Sequence, residues 1–435
     1  MRIALVSIGL DSFIKDLAVS LGKDLKVDVF VRGCKEEKPF FEKGIKINES
    51  EIKVSVFKKH FPEFDLYSIW FIPHKTYWED SLIFCHSVFI LLESLGNYDI
   101  VFAKNWETAL LMSLIKDRKL KAKAVFFINN MAHGLVPLEK KDMLGISGKL
   151  LDEIEFYGEI SLLKAGILHS DLIITPSPSY AKEIQSPECG SGLDEVLREN
   201  SHKIYGILSG VNYKGWDPKR DAYIKATYSE EDLAGKKVCK EDLIREMNLI
   251  STAEMPVVGM ITRFSEQKGL TLIIDAIEEI IKMGISLVIL GEREEPILEN
   301  IFLDIKNAFP GILAVQIGYE EKIAHKIIAG SDMFLDPSFY EPETHFHLYA
   351  MRYGSVPIVR ATGFLNDTVS DLEDGFKFYE KSSSDMLKAI RKAVEFYEDK
   401  RLWDSIVKKG MKKAILWKDS ARKYISLFRE IIKKA

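Results

Sequence analysis

What the chain lacks narrows the field first. Its four cysteines, Cys34, Cys85, Cys189 and Cys239, lie far apart in 435 residues and form no C-x-x-C pair. A disulfide framework is not indicated, and free thiols in a reducing compartment are the plain reading. The start, MRIALVSIGL, has neither the apolar core nor the cleavage site of a signal peptide. The apolar run Ser81 to Leu95 is too short to span a bilayer and contains His86 and Glu93. A cytoplasmic protein is therefore expected. Charge of neither sign dominates: 60 Lys and Arg against 65 Asp and Glu leave a net −5, which gives no global pull toward nucleic acid or membrane. The turn Ile8-Gly9-Leu10-Asp11 carries one glycine, so the G-x-G-x-x-G loop of a dinucleotide oxidoreductase is absent. No D-x-D motif or His/carboxylate cluster points to a catalytic metal, and there is no short-period repeat or low-complexity segment.

What is present is alternation. The length implies two or three domains, and 47% apolar with 29% charged residues is a globular composition. Arg2 to Ser7, a helix from Ser12 to Leu25 with Phe13, Ile14, Leu17, Leu21 and Leu25 on one face, and Val27 to Val31 make a β-α-β unit. Ile45 to Lys58 reads as an antiparallel insertion and Trp78 to Leu95 as a helix. Strands follow at Asp99 to Ala103, Ala124 to Asn129, Asp171 to Thr175 and Lys203 to Leu208. Asn105 is placed as the cap of the helix beginning near Trp106. Gly145 to Ala165 reads as one or two helices. The segment 216–255 is poor in strands and is expected to connect a first domain, 1–215, to a second, 256–417. There the alternation restarts, with strands at Pro256 to Thr262, Ser286 to Leu290, Leu313 to Ile317, Met333 to Leu335 and Val356 to Val359. The expected class is α/β: two doubly wound, Rossmann-like halves facing across a cleft, where ligands commonly bind. Glu341 falls just beyond the carboxyl end of a strand, where open parallel sheets place ligands, and before a helix from His345 to Tyr353 that stops at Gly354. Free N–H groups at such a helix start attract phosphate.

Several runs carry a resemblance. They are EFYGEISLLKAGI at 155–167, YAKEIQSPECGSGLDEVL at 180–197, GILSGVNYKGW at 206–216, RFSEQKG at 263–269, VQIGYEEKIAHKIIAG at 315–330, Met351 to Gly354 and Asp367 to Val369. In order and over most of the chain they resemble the bacterial and archaeal glycogen (starch) synthases, retaining glucosyltransferases of the GT-B fold. The resemblance implies transfer of glucose from ADP-glucose or UDP-glucose to the non-reducing end of an α-1,4-glucan, with no metal or other cofactor, and with oligomerisation left open. It implies that the last helix, 418–435, packs back on the first domain. Arg263 and Lys268 match the family positions that neutralise the departing diphosphate, where negative charge grows as the glycosidic bond breaks. Glu341 matches the acidic residue that contacts the donor, more suited to hydrogen-bonding sugar or ribose hydroxyls than to covalent attack. Donor-side roles are implied for Gly9, Asn129, Thr344, His345, Phe346, Tyr349 and Asp367. Lys104, Asn105, Trp106 and Tyr157 are acceptor-side candidates. His345 and His347 are expected to face solvent or donor rather than a metal.

The departures from the family gather at the donor site. Lys-x-Gly-Gly-Leu is replaced by Ser7-Ile8-Gly9-Leu10, His-Asp-Trp by Lys104-Asn105-Trp106, and His-Asn by Asn129-Asn130. Glu-Pro-Cys-Gly-Leu-Thr is replaced by Glu341-Pro342-Glu343-Thr344-His345-Phe346, Gly-Gly-Leu by Gly363-Phe364-Leu365, and Leu-Gly-x-Gly by Leu290-Gly291-Glu292-Arg293. Three readings stay open on sequence: an active synthase with a rebuilt donor pocket in which Lys104 replaces the missing lysine, a transferase with another donor or acceptor, and an inactive paralogue that binds glucan or a partner.

Overall fold

The structure, a computed structural model, describes residues 1–33, 41–47, 50–73 and 76–434; Cys34 lies outside them. It divides into two compact units, Met1–Gly210 with Leu416–Ala435, and Val211–Ile415.

In the first unit the strands are β1 (Arg2–Ser7), β2 (Lys26–Arg32), β3 (Phe41–Ile47), β4 (Ser50–His60), β5 (Asp65–Trp70), β6 (Ile100–Lys104), β7 (Lys123–Phe127), β8 (Leu135–Pro137), β9 (Glu155–Phe156), β10 (Glu159–Ser161), β11 (Leu172–Thr175) and β12 (Ile204–Gly206). Nine of them form one sheet in the order β12-β11-β7-β6-β1-β2-β5-β4-β3. The sheet is parallel from β12 to β5 and antiparallel at β4 and β3. Its central strands are apolar on both faces, as a sheet covered by helices requires. Ile3 and Leu5 point into one core with the helix Ser12–Leu21. Ala4 and Val6 point into the other with the helices Tyr77–Leu95, Leu110–Asp117 and Leu162–His169. The chain runs outward from β1 through β2, then returns to lay β6 on its other side. The β1/β6 junction is thus a topological switch point, and Gly9 and Lys104 lie at its carboxyl edge.

The terminal helix Trp417–Lys433 completes this first unit. Trp417, Ala421, Tyr424, Ile425 and Phe428 bury themselves in the core that holds Phe13, Ile14 and Leu17. Ser420 Oγ donates to the Leu208 carbonyl at 2.6 Å.

The second unit carries β13 (Val257–Arg263), β14 (Ser286–Glu292), β15 (Leu313–Ile317), β16 (Met333–Asp336), β17 (Val356–Arg360) and β18 (Phe376–Phe378). These form a parallel sheet ordered β15-β14-β13-β16-β17-β18. Here the switch point lies between β13 and β16.

Four expectations need correction. The stretch 216–255 is not a connection: Tyr228, Cys239, Leu243 and Leu249 are core residues of the second unit, and the boundaries fall at Gly210/Val211 and Ile415/Leu416. Two lysines, Lys240 buried and Lys236 half-buried, stitch it in. Lys240 Nζ donates to the Ala253 and Met255 carbonyls at 2.7 and 2.8 Å and pairs with Asp332 at 2.8 Å. Lys236 donates to the Ala329 and Ser331 carbonyls, and burial brings its pKa down to about 8. The first helix ends at Leu21, not Leu25, with Gly22 as its C-cap; there the backbone passes against the Glu63 carbonyl, where no Cβ fits. Between Gly145 and Ala165 only Gly148–Glu153 and the start of Leu162–His169 are helical. EFYGEIS between them is the hairpin β9–β10, which with β8 makes a three-stranded sheet. Tyr157 and Gly158 both take positive φ (50° and 84°), the conformation a two-residue turn of matching twist requires. Asn105, finally, caps no helix with its side chain.

Cutting Phe428 back to Ala should cost the first unit about 3–5 kcal/mol, read as a lower denaturant midpoint; an unchanged midpoint would show that the terminal helix contributes no packing. Acid should weaken the same unit through His169. Its ring lies between Ser113 Oγ (2.7 Å) and Glu153 Oε2 (3.1 Å), and burial first, then Lys116, hold its pKa down to about 4. From the ordinary histidine value near pH 6.5 down to about 4, the unfolded chain binds a proton that the folded chain refuses. Stability therefore falls as pH drops through that window. His169→Gln should flatten this dependence in pH-resolved denaturant titrations.

Candidate functional site

The switch point of the second unit gathers the expected catalytic residues. Arg263 ends β13, and Lys268 follows on a single 3-10 turn, Glu266–Lys268. Glu341 lies beyond β16, after Pro337, Ser338, Phe339 and Tyr340. Lys268 Nζ and Glu341 Oε2 form an ion pair, with Glu341 only 3% exposed. Burial lifts the Glu341 carboxyl above the ordinary carboxylate range; Lys268 pulls it back and Asp336 pushes it further up. Burial acts to lower the Lys268 pKa, yet Glu341 and Asp336 outweigh it and the net shift is upward. Lys268 is therefore a fixed positive charge at neutral pH. Ser338 donates its hydroxyl to Asp336 Oδ1 at 2.6 Å and lies 3.3 Å from Glu341 Oε2.

The turn that presents Glu341 is clamped from three directions. Arg360, a buried guanidinium at the end of β17, donates to the carbonyls of Ser338 (2.9 Å), Phe339 and Tyr379 (3.3 Å). Gly269 (φ 66°) lies against the Pro337 carbonyl and Gly363 (φ 43°) against the Glu341 carbonyl, where any Cβ would collide. The Phe364 N–H donates to that same Glu341 carbonyl at 2.8 Å. Gln267 links the two loops, accepting Phe339 N–H on its carbonyl (2.8 Å) and donating Nε2–H to the Tyr340 carbonyl (3.1 Å). It also accepts from Arg263 Nη2 at 3.2 Å. The other fork of Arg263, Nη1, donates to Glu294 at 2.7 Å. Arg360, Gln267, Ser338 and Glu294 were not flagged from sequence. The only signal was Arg360 closing an otherwise apolar strand, VPIVR.

The donor-side candidates after Glu341 divide. The helix runs Phe346–Arg352 with His345 at its start. Thr344, His345 and Phe346 are half-buried, and His345 Nε2 lies 3.6 Å from Glu343 Oε1. Tyr349 stacks on Trp216 (ring centroids 4.5 Å, 3°), with His325 on the other indole face at 3.7 Å. Its hydroxyl donates to the Asn212 carbonyl at 3.3 Å. Asp367 is half-buried on the short helix Gly363–Thr368. His347 does not face solvent or ligand. It is fully buried, and burial holds its pKa well below the ordinary value. Thr368 spends its proton on the Phe364 carbonyl (2.6 Å), so neutral His347 donates Nε2–H to Thr368 Oγ1 (2.7 Å). It is a structural strut.

The first unit brings a second group to its own switch point. Lys104 is buried and paired with Asp11, whose other oxygen caps the helix Ser12–Leu21 by accepting Ile14 N–H at 2.9 Å. Asn105 takes φ 62°, and its Oδ1 accepts Asn129 N–H at 2.9 Å instead of capping. Asn129 Oδ1 is itself buried without a hydrogen-bond partner, an acceptor left open beside β7. Trp106 covers Gly134 (φ 58°) so closely that a Cβ there would strike the indole. Gly9 is clear of neighbours on its Cβ side. Tyr157, 90% exposed, sits edge-on to Phe156. His133, not foreseen, stacks on Phe156 and bridges Ser161 Oγ (3.1 Å) and the Ser191 carbonyl (2.8 Å). Among the described residues no group of three or more His, Cys, Asp and Glu is placed to hold a metal ion. Among them too, no helix is long and apolar enough to cross a membrane, and Cys85, Cys189 and Cys239 are free thiols.

Known proteins share both halves of this arrangement. Residues 9–199 match the starch synthase catalytic domain family, and residues 246–410 match the glycosyl transferases group 1 family. Glycogen synthase of Thermodesulfovibrio yellowstonii is 38% identical over 345 residues, covering 77% of this chain and 69% of that protein. Glycogen synthase of Koribacter versatilis is 39% identical over 351 residues, covering 77% and 72%. The catalytic domain of starch synthase IV from Arabidopsis thaliana, solved with ADP and acarbose, superposes with a TM-score of 0.85 at 25% identity over 99% of both chains. With two doubly wound sheets and these relatives, the chain belongs to the glycogen (starch) synthase family of GT-B hexosyltransferases.

Proposed function

We propose that this chain transfers glucose, with retention of configuration, from a nucleoside-diphosphate glucose to the non-reducing end of an α-1,4-glucan. The observation that carries this is the Lys268–Glu341 pair, set with Arg263 at the switch point between β13 and β16. Open parallel sheets bind ligands at such a point, and the arrangement suits a leaving diphosphate. Lys268 is a point charge and Arg263 a fork for the charge that grows on the phosphate. The Ser338–Glu341 turn is held by Arg360, so the carboxylate that positions Lys268 stays in place as the bond breaks. Glu341, neutralised by Lys268, is an acceptor for sugar or ribose hydroxyls. In the first unit half-buried Asn129, whose Oδ1 has no partner, is assigned to a glucose hydroxyl, and exposed Tyr157 offers a face to a glucan. The starch synthase relative solved with ADP and acarbose makes ADP-glucose the first donor to try, with UDP-glucose beside it.

One observation favours a second reading, glucan binding without turnover. Glu343 sets a carboxylate two residues from Glu341, where a diphosphate would approach. Incubation with ADP-glucose or UDP-glucose and maltooligosaccharides, following nucleoside diphosphate release, separates the two. No release from either donor, with glucan retained in a pull-down, would establish binding alone.

On the transferase reading, Lys268→Ala should lower turnover by about 10²–10³-fold with glucan binding little changed. Thermal unfolding of the same variant distinguishes lost chemistry from lost fold, and full activity in a folded variant would remove Lys268 from the mechanism. Nucleoside diphosphate release should also survive excess EDTA. Its loss, restored by a divalent cation, would show that a metal supplies the charge assigned here to Arg263 and Lys268.

A further inference from the structure

Arg263 is already occupied. Its Nη1 donates to Glu294 Oε2 at 2.7 Å, and the pair is partly open to solvent, the arginine 43% and the glutamate 39% exposed. Glu294 is not a side chain that wandered into reach. The loop carrying it, Arg293 to Glu295 between β14 and the helix Pro296–Ala308, is fastened to the loop after β13 at several points. Phe264 N–H donates to the Glu292 carbonyl at 2.9 Å, and Glu295 N–H donates to the Phe264 carbonyl at 2.9 Å. Glu266 N–H donates to Glu295 Oε1 at 3.1 Å. Glu294 N–H donates to Glu299 Oε1, and Arg293 pairs with the other oxygen of Glu299, both at 3.1 Å. This frame fixes the Glu294 backbone beside the guanidinium. Lys268, in the same loop as Arg263, is matched by Glu341. Each cation assigned to the diphosphate therefore has a carboxylate on it, but the two differ. Glu341 is buried and clamped, whereas Glu294 is a solvated side chain that can swing away.

We propose that Glu294 is the anion a donor's diphosphate must displace from Arg263, and that it sets how strongly the site prefers a nucleoside diphosphate to a monophosphate. This rests on the assignment of Arg263 to the diphosphate. A free diphosphate ends in a phosphate with three oxygens and more negative charge than a carboxylate, which brings one charge and two oxygens to a guanidinium fork. It can take the fork and leave Glu294 to water. A nucleoside monophosphate has no terminal phosphate to reach Arg263, so the Arg263–Glu294 pair persists. Glu294 thus weakens diphosphate binding a little and leaves monophosphate binding alone. Exposed ion pairs are weak, so the effect is about two- to fivefold in affinity.

Calorimetry on the full chain with ADP, UDP and AMP tests this. Glu294→Gln keeps the shape and removes the charge, and should bind the preferred diphosphate about two- to fivefold more tightly with AMP affinity unchanged. In turnover the variant should show a lower KM for the nucleotide sugar at similar kcat. Unchanged or weaker diphosphate binding would overturn the proposal, as would a fall in kcat at constant KM, which would make Glu294 a support that orients Arg263. Equal tightening of AMP would also overturn it, because a general charge effect would then suffice. Arg263→Met separates this inference from the reading beneath it. If that variant binds the diphosphate as well as the native chain, the Arg263 assignment fails. If it binds more weakly and Glu294→Gln brings no gain, the assignment stands and the displacement fails.

Discussion

An ammonium drawn largely out of water needs a partner to offset its lost hydration, and the candidate site of the second unit is built around one such pair, Lys268 with Glu341. Lys268 and Glu341 come from loops after strands that are neighbours in space but far apart in sequence. Their meeting therefore depends on the order of the sheet. Removing either partner would strand the other charge, at a cost of about 3–5 kcal/mol in comparable buried pairs. Much of the nearby structure serves this contact. Gly269 and Gly363 let backbone pass where a side chain would not fit, and Arg360 ties the carbonyls of the intervening turn. Retaining so costly a pair at a strand end is easier to understand as preorganisation for an incoming charge than as a stabilising device.

The two units solve the same placement problem with different chemistry. Each reverses its strand order beside its first strand, and each puts its polar groups at that reversal. In the second unit the groups are ionic and mutually compensated. In the first, Lys104 is neutralised by Asp11, and beside it lie the neutral amides of Asn105 and Asn129. A charged leaving group suits the first kind of surface and sugar hydroxyls the second.

The sequence made legible whatever depends on local pattern. Strands apolar on both faces, the β-α alternation and the positions of Arg263, Lys268 and Glu341 could all be read from runs of residues. What escaped depends on partners distant in the chain. EFYGEIS reads as helix because nothing local says that Tyr157 will accept a positive φ. His347 looks like a ligand-facing histidine two residues from His345, yet it is buried against Thr368, twenty-one positions on. Asn105 has the residue type of a cap but spends its oxygen on Asn129. The stretch 216–255 lacks strands, and its role in the core appears only once Lys236 and Lys240 find carbonyls near residues 253–255 and 329–331. Arg360 and Gln267 organise the site through backbone carbonyls, a role that leaves no motif.

The return of the last helix to the first unit has a consequence for the order of events at the ribosome. The second unit is in effect a long insertion, 211–415, within the first. It emerges whole and can fold as soon as it clears the exit tunnel. The first unit, although begun earlier, must wait with the faces of Phe13, Ile14 and Leu17 uncovered until Trp417 to Phe428 arrive. Domains otherwise tend to fold from the N-terminus during synthesis. In this chain the half begun first is the half completed last, and its exposed apolar face is the surface a chaperone would meet throughout translation.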